Sequence, residues 1–129
     1  MMPDGPSPAD FMHLYEAAAN AHDLDGMLNL IAEDAVFLFS DGTAHIGKAA
    51  VRKAIQANFD AIENEIYRIF QVVWLGQSDS FAACVYAFGW SGTIEGKPAS
   101  GAGRGSTVLN RIAGEWRVIH EHLSRGGLK

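Results

Sequence analysis

The last predicted strand, residues 116–124, brings together side chains that could do chemistry. Successive side chains of a strand point to opposite faces. One face therefore joins two histidines to two apolar residues: Trp116, Val118, His120 and His122. The other face carries a single carboxylate among its members: Arg117, Ile119, Glu121 and Leu123. We expect one of these two faces to hold the function.

The two histidines are spaced for metal binding but do not complete a site. Zinc needs a third and usually a fourth ligand. The remaining histidines, His13, His22 and His45, lie on other predicted elements, and no spacing supplies the missing ligands. We therefore predict no metal and no cofactor, and we expect His120 and His122 to lie on a sheet face or at an interface.

The glycine-rich run at residues 101–105 has the composition of a phosphate-binding loop. A predicted strand follows it rather than the amino terminus of a helix, so the helix dipole and the free N–H groups that bind phosphate are missing. Glycines inside a strand often mark a bend or a close approach of backbone. We interpret this run as a bend in a curved strand.

Length and composition limit the class of protein. A chain of 129 residues with 48% hydrophobic content suits one domain, residues 1–129, with a loose arm at residues 1–7. The net charge is −5 and the ten basic residues are scattered, which disfavours nucleic acid as a partner. No run approaches the roughly 20 apolar residues that cross a membrane. We expect a cytoplasmic protein that does not bind membranes.

The amino-terminal half predicts three helices. Ser7 is suited to cap the first helix, which runs to about Ala21. Asp23 is suited to cap a short second helix that ends at residues 33–34. The third helix follows Gly47 and should bury one apolar stripe: Val51, Ile55, Phe59 and Ile62.

The rest of the chain predicts strands. Residues 35–39 and 43–46 form a hairpin in which Asp41-Gly42 is a two-residue turn signal. From Glu65 onward the period of two predicts four long strands: residues 66–75, 80–92, 102–112 and 115–123. This order favours an antiparallel sheet with its helices on one face. Such a sheet would curve around the helices and leave a cavity between its concave face and the first and third helices.

The strand at residues 80–92 places its bulky side chains on one face: Cys84, Tyr86, Phe88 and Trp90. We expect this face to point into the cavity, where there is volume to fill, although the same pattern is typical of an ordinary core. The register of the last hairpin stays open. A turn with Gly114 as a bulge residue pairs Thr107 with Ile119, whereas a strict two-residue turn pairs Thr107 with His120.

The element order and three stretches, residues 20–25, 32–36 and 116–124, resemble the NTF2-like superfamily. Within it the chain is similar to the SnoaL-like and ketosteroid-isomerase-like branches, and its ending is similar to the calmodulin-kinase association domains. The resemblance covers residues 11–124. It implies an α+β, cone-shaped, cystatin-like fold, in which a strongly curved antiparallel sheet wraps around three helices and encloses a pocket.

The resemblance also implies which residues line the pocket. Tyr15 matches the tyrosine that donates to the developing oxyanion in ketosteroid isomerases, but Phe39 stands in place of their base and Thr107 lies near their second aspartate. Since Phe39 cannot accept a proton, we expect no steroid isomerase activity. On this alignment Glu121 points inward, and Tyr15 and Glu121 become the candidate catalytic pair. The implied ligand pocket comprises Phe39, Tyr86, Phe88, Trp90, Thr107 and Ile119.

Three functions remain compatible with the sequence. The first is binding of a small, mainly apolar molecule; the second is a cofactor-free isomerase, cyclase or dehydratase that uses Tyr15 and Glu121; the third is a non-catalytic assembly domain. We expect a homodimer through the convex face, where the apolar residues Ala83, Val85 and Ala87 would join Trp116, Val118 and the two histidines. Glu121 should either have a raised pKa through burial or be neutralised by Arg117 or Arg104.

Overall fold

The computed structural model describes residues 5–126, so the first four residues of the predicted arm lie outside it. Three helices form where the sequence predicts them, although the second ends earlier than residues 33–34: α1 (Pro8–Asn20), α2 (Leu24–Leu28) and α3 (Lys48–Ala61). Both predicted caps are present. The Ser7 hydroxyl accepts a hydrogen bond from the Asp10 N–H at 3.1 Å, and the Asp23 carboxylate accepts one from the Gly26 N–H at 3.0 Å. These bonds satisfy N–H groups that a helix start leaves free.

Six strands form one sheet: β1 (Ile31–Leu38), β2 (Ala44–Ile46), β3 (Glu63–Gln77), β4 (Phe81–Ile94), β5 (Lys97–Ile112) and β6 (Glu115–Arg125). Their order across the sheet is β2-β1-β6-β5-β4-β3. The expected α+β class and curved sheet are confirmed, with one correction. The pair β1–β6 is parallel, so the sheet is mostly rather than wholly antiparallel.

Two local predictions in the first hairpin are wrong. The segment from Ile31 was expected to complete the second helix, but it begins β1, because the Leu30 carbonyl accepts a hydrogen bond from the Val118 N–H at 2.8 Å and so joins the sheet. The turn at Asp41-Gly42 is not a two-residue turn. The Phe39 N–H donates to the Thr43 carbonyl and closes a three-residue loop in which Gly42 has a φ of +88°.

A bulge at Ile119 changes the faces of β6. The turn before β6 contains two residues, Ala113 and Gly114, both with positive φ, but the register then shifts between Val108 and Leu109. Thr107 therefore pairs with Glu121, and both expected partners, Ile119 and His120, were wrong. A bulge inserts one residue and exchanges the faces beyond it.

The consequence is that one strand contributes to the core first and to a polar site next. Before the bulge, Trp116 and Val118 are buried in the core, not on the convex face as predicted. Beyond the bulge, Glu121 points to the same concave side, while His122 is exposed. The core beneath them is formed by large side chains that are at most 2% exposed: Phe11, Ile31, Phe37, Val51 and Leu109.

The glycine-rich run lies inside β5, where glycine occupies every second position and each of the three glycines faces an aromatic residue of β4. The register pairs Gly101 with Trp90, Gly103 with Phe88 and Gly105 with Tyr86. A side-chain carbon at any of these glycines would collide with the facing ring, and at Gly103 also with the Ser124 carbonyl oxygen. The absence of side chains thus lets three rings lie against the curved strand.

We predict that Gly103→Ala lowers the free energy of unfolding by about 1–3 kcal/mol, because the backbone of β6 would have to move to admit the methyl group. Gly76→Ala is the matched control: it lies in β3, and nothing is within 4 Å of the added carbon. Urea denaturation measures both. Equal stability of the two variants would contradict the packing described for β5.

Candidate functional site

Tyr15 and Glu121 meet at the floor of the cavity between the helices and the sheet. The Tyr15 hydroxyl donates a hydrogen bond to Glu121 Oε1 at 2.9 Å. Only 3% of Tyr15 and 5% of Glu121 are exposed. Tyr15 lies on the buried stripe of α1, and Glu121 follows the bulge in β6. Residues 106 positions apart in sequence thus form one buried polar pair.

Glu121 has no ion-pair partner in the described part of the chain. Burial raises the pKa of Glu121 from 4.5 to about 7, and the hydrogen bond from Tyr15 opposes part of that rise. Of the two arginines that were expected as alternatives, Arg117 instead bonds Glu115 at 3.3 Å, and Arg104 lies exposed on the outer face. Within residues 5–126, no ion pair involves Glu121. A carboxyl with such a pKa exchanges protons near neutral pH.

Tyr15 is suited to remain a donor. Burial, followed by the negative charge of Glu121, raises the pKa of Tyr15 well above 10.0. The same two causes raise the pKa of Tyr67, whose side chain lines the cavity. Both hydroxyls therefore keep their protons wherever Glu121 titrates, which makes Glu121 the proton-exchanging member of the group.

The cavity consists of two adjoining chambers. The inner chamber has a volume of about 100 Å³, and Tyr15, Phe37, Phe59 and Glu121 are among its walls. The outer chamber has a volume of about 220 Å³, and Asp41, Phe88 and Trp90 are among its walls. Both share the same boundary residues: Phe39, Asn58, Glu65, Tyr67 and Leu123. The site is therefore a small pocket with aromatic, apolar and carboxyl side chains among its walls, and its buried carboxyl group, Glu121, lies in the inner chamber.

The residues predicted for the ligand pocket do not all lie in it. Phe39 lines both chambers, and Phe88 and Trp90 line the outer one. Tyr86 and Thr107 lie behind the chambers, where their hydroxyls share a hydrogen bond of 2.8 Å. Ile119 lines neither chamber, because it occupies the bulge that turns Glu121 inward.

A second polar pair borders the chambers and was missed by sequence reasoning. His22 Nε2 lies 2.8 Å from Glu65 Oε1, and the His22 ring stacks on Phe59 with centroids 4.2 Å apart. Glu65 lines both chambers. Nothing in the sequence couples these residues, since His22 follows α1 and Glu65 belongs to β3. The only available signal was that both flank predicted elements.

Strand β3 is held in place by α1. It lies at the edge of the sheet, where one row of backbone groups has no neighbouring strand. Two side chains of α1 replace that neighbour. Glu16 accepts a hydrogen bond from the Ile69 N–H, and Asn20 both accepts from the Tyr67 N–H and donates to the Tyr67 carbonyl at 2.7 Å. These bonds fix Tyr67 over the chambers.

The His-x-His pair lies away from the chambers. His120 Nδ1 is 2.9 Å from the Val36 carbonyl oxygen, and the rings of His120 and His122 are 6.5 Å apart. Within residues 5–126, no group of three or more His, Cys, Asp or Glu side chains is arranged to hold a metal. An open groove of about 350 Å³ lies on this outer face and is larger than either chamber. We take the chambers as the candidate site because they contain Glu121, the one buried carboxyl group among residues 5–126.

The chain belongs to the SnoaL-like domain family, whose family model matches residues 9–126. This match confirms the resemblance to the NTF2-like superfamily. No protein of curated function matches the sequence. No helix among residues 5–126 is long and apolar enough to cross a membrane.

Many solved structures share the fold, including three with the following similarity to this chain. A Novosphingobium aromaticivorans protein, provisionally described as an aromatic ring hydroxylase, has a TM-score of 0.83 at 22% identity, over 93% of this chain and 87% of that one. A Xanthomonas campestris protein is provisionally described as a calcium/calmodulin-dependent protein kinase II association domain. Its TM-score is 0.83 at 16% sequence identity, over 100% of this chain and 94% of that one. An NTF2-like superfamily protein from Salmonella enterica has a TM-score of 0.82 at 14% sequence identity, over 93% of this chain and 89% of that one. Identities this low show the fold alone.

We predict a pH-dependent difference in stability between the wild type and Glu121→Gln. Below pH 4.5 Glu121 is neutral in both the folded and the unfolded chain. As the pH rises toward 7, only the unfolded chain ionises, so the wild type loses about 3 kcal/mol relative to the variant. Above pH 7 the difference stays constant.

Urea denaturation across this pH range measures the difference. Glu115→Gln, on the same strand but exposed, is the control and should follow the wild type. If the profile of Glu121→Gln also parallels that of the wild type, Glu121 does not have a raised pKa.

Proposed function

We propose that this protein binds a small, mainly apolar molecule in its two chambers and that Glu121 exchanges a proton with it. One observation carries the proposal: the hydrogen bond of 2.9 Å between Tyr15 and Glu121 at the inner end of an aromatic pocket. Membership of the SnoaL-like family supports a small-molecule role at the level of class. The proposed activity is a cofactor-free isomerase or lyase reaction.

The environment of Glu121 suits proton transfer. General acid–base catalysis is most effective when the pKa of the group is near the working pH, and burial raises the pKa of Glu121 to about 7. Oε1 is held by Tyr15, and no described residue donates a hydrogen bond to Oε2. A ligand in the inner chamber would meet that free oxygen, while the aromatic walls keep water away from it.

The steroid isomerase reaction does not fit this pocket. Phe39 lines both chambers at the position that the resemblance assigns to the base, and a phenyl ring accepts no proton. Thr107 is fully buried and bonds Tyr86, so it does not reach a ligand. The proposed chemistry therefore depends on Glu121 alone, and we expect no migration of the double bond in a 5-ene-3-ketosteroid.

A screen of small neutral aromatic compounds in D2O tests the proposal. Ligand-observed NMR reports both binding and the exchange of carbon-bound hydrogen for deuterium. We expect the wild type to accelerate exchange in compounds that bind. In Glu121→Gln the exchange rate should fall by about 10²–10⁴-fold, which is the usual contribution of one acid–base group.

The isostere keeps the shape of the site, so binding of neutral compounds should change by less than about threefold. Glu115→Gln should retain both binding and exchange. Exchange that persists in Glu121→Gln would contradict the catalytic role. Binding without exchange in the wild type would leave a binding protein only.

We also propose a homodimer through the outer face of the sheet. The interface residues differ from those predicted from the sequence, because Trp116 and Val118 are buried in the core. Three large apolar side chains on this face are more than half exposed: Ile66, Val73 and Phe81. By register they point away from the helices, as do Ala83 and Val85. An apolar surface of this kind is typical of an interface between copies.

We predict that light scattering gives twice the chain mass of 13.9 kDa at micromolar concentration. Val73→Glu should shift the protein toward the monomer, because the charge would be buried between the two copies. Leu14→Glu is the control: Leu14 is 52% exposed but lies on α1. A monomeric wild type, or a dimer unaffected by Val73→Glu, would contradict this interface.

A further inference from the structure

The charges that line the two chambers all have the same sign. The charged side chains among their walls are three carboxyl groups: Asp41, Glu65 and Glu121. Among the residues that the structure describes, no lysine, arginine or histidine is among the walls. A carboxylate ligand would therefore meet repulsion without a compensating cation. The charges of the pocket walls therefore disfavour the binding of an anionic ligand.

The nearby histidines leave the inner carboxyl group unbalanced. His22 contacts Glu65. The His45 ring lies tilted against Phe39, with centroids 4.8 Å apart, and its Nε2 lies 2.8 Å from the Thr43 hydroxyl. Neither contacts Glu121. Glu121 is 95% buried, since only 5% of it is exposed, and its Oε2 has no partner among the described residues. A buried carboxylate without a counter-charge is unfavourable, and a cationic ligand would relieve that cost.

The other walls of the chambers are suited to a cation with an aromatic or apolar body. The faces of aromatic rings attract ammonium groups, most strongly when water is excluded. Phe37 and Phe59 line the inner chamber, Phe88 and Trp90 line the outer one, and Phe39 and Tyr67 line both. The inner chamber, of about 100 Å³, has room for a small head group, and the outer one, of about 220 Å³, for a ring.

We infer that the ligand of this pocket is a small aromatic or apolar amine, whose ammonium group enters the inner chamber and donates a hydrogen bond to Glu121 Oε2. This inference rests on the proposed function, because it names the class of molecule that meets Glu121. It also gives Glu121 a partner for proton exchange, namely the ammonium group, which can donate an N–H proton to the carboxylate.

Three probes of nearly equal size and different charge test the inference: benzylamine, benzyl alcohol and benzoate. At about pH 8 the amine is protonated and Glu121 is mostly ionised. We expect benzylamine to bind at least about tenfold more tightly than benzyl alcohol, because its hydrogen bond to Glu121 is charge-assisted. Benzoate should not bind. Isothermal titration calorimetry on the full chain gives the three dissociation constants.

Glu121→Gln should reduce the preference for the amine to about onefold, since the amide has no charge. Glu115→Gln should retain the preference. The order of the three probes on the wild type decides the question even if Glu121→Gln does not fold.

Each other outcome overturns the inference. Benzyl alcohol binding as tightly as the amine would do so and leave the proposed small-molecule function intact. An amine preference that persists in Glu121→Gln would show that Glu121 is not the contact. If none of the probes binds at millimolar concentration, the pocket does not take small amines, and the proton-exchange proposal is then judged by the neutral compounds in D2O.

Discussion

The burial of Glu121 beside Tyr15, with no ion-pair partner among residues 5–126, is the constraint that sets the chemistry of this pocket. A carboxyl group removed from water needs either a counter-charge or a proton. Here the hydrogen bond from Tyr15 satisfies one oxygen, and burial raises the pKa of Glu121 to about 7. Glu121 therefore gains or loses its proton near neutral pH, and it does so inside a pocket whose walls include several aromatic rings.

Several parts of the backbone are arranged so that this pair can form. The bulge at Ile119 brings Glu121 to the concave side after Trp116 and Val118 have already filled the core. The glycines of β5 let the rings of β4 lie against the curved sheet. Glu16 and Asn20 of α1 tie the edge strand β3 to the helix that carries Tyr15. The bulge places the carboxyl group itself, whereas the glycines and the bonds from α1 position the walls of the chambers.

Local signals in the sequence predicted the helices well, because their causes are local. Ser7 and Asp23 cap helices through hydrogen bonds to residues three positions away. The features that sequence reasoning missed depend on distant partners. The alternation of side chains along a strand gives no sign of an inserted residue, so the bulge at Ile119 was not predicted. Trp116 and Val118 were therefore assigned to the face opposite Glu121, although all three point to the concave side. Ile31 joins the sheet only because β6 pairs with it, and Glu65 belongs to the site only because His22 and the chambers adjoin it.

The resemblance to ketosteroid isomerases indicated the inward position of Glu121, which strand periodicity had left open. The resemblance did not indicate that the charged walls of the pocket are all acidic, because Asp41, Glu65 and Glu121 come together only in the folded chain. The most direct test of this account is the titration of the Glu121 carboxyl carbon by ¹³C NMR, assigned by comparison with Glu121→Gln. We expect a midpoint of about 7. A midpoint at the usual value of 4.5 would mean that Glu121 is solvated or paired, and would contradict the proposed site.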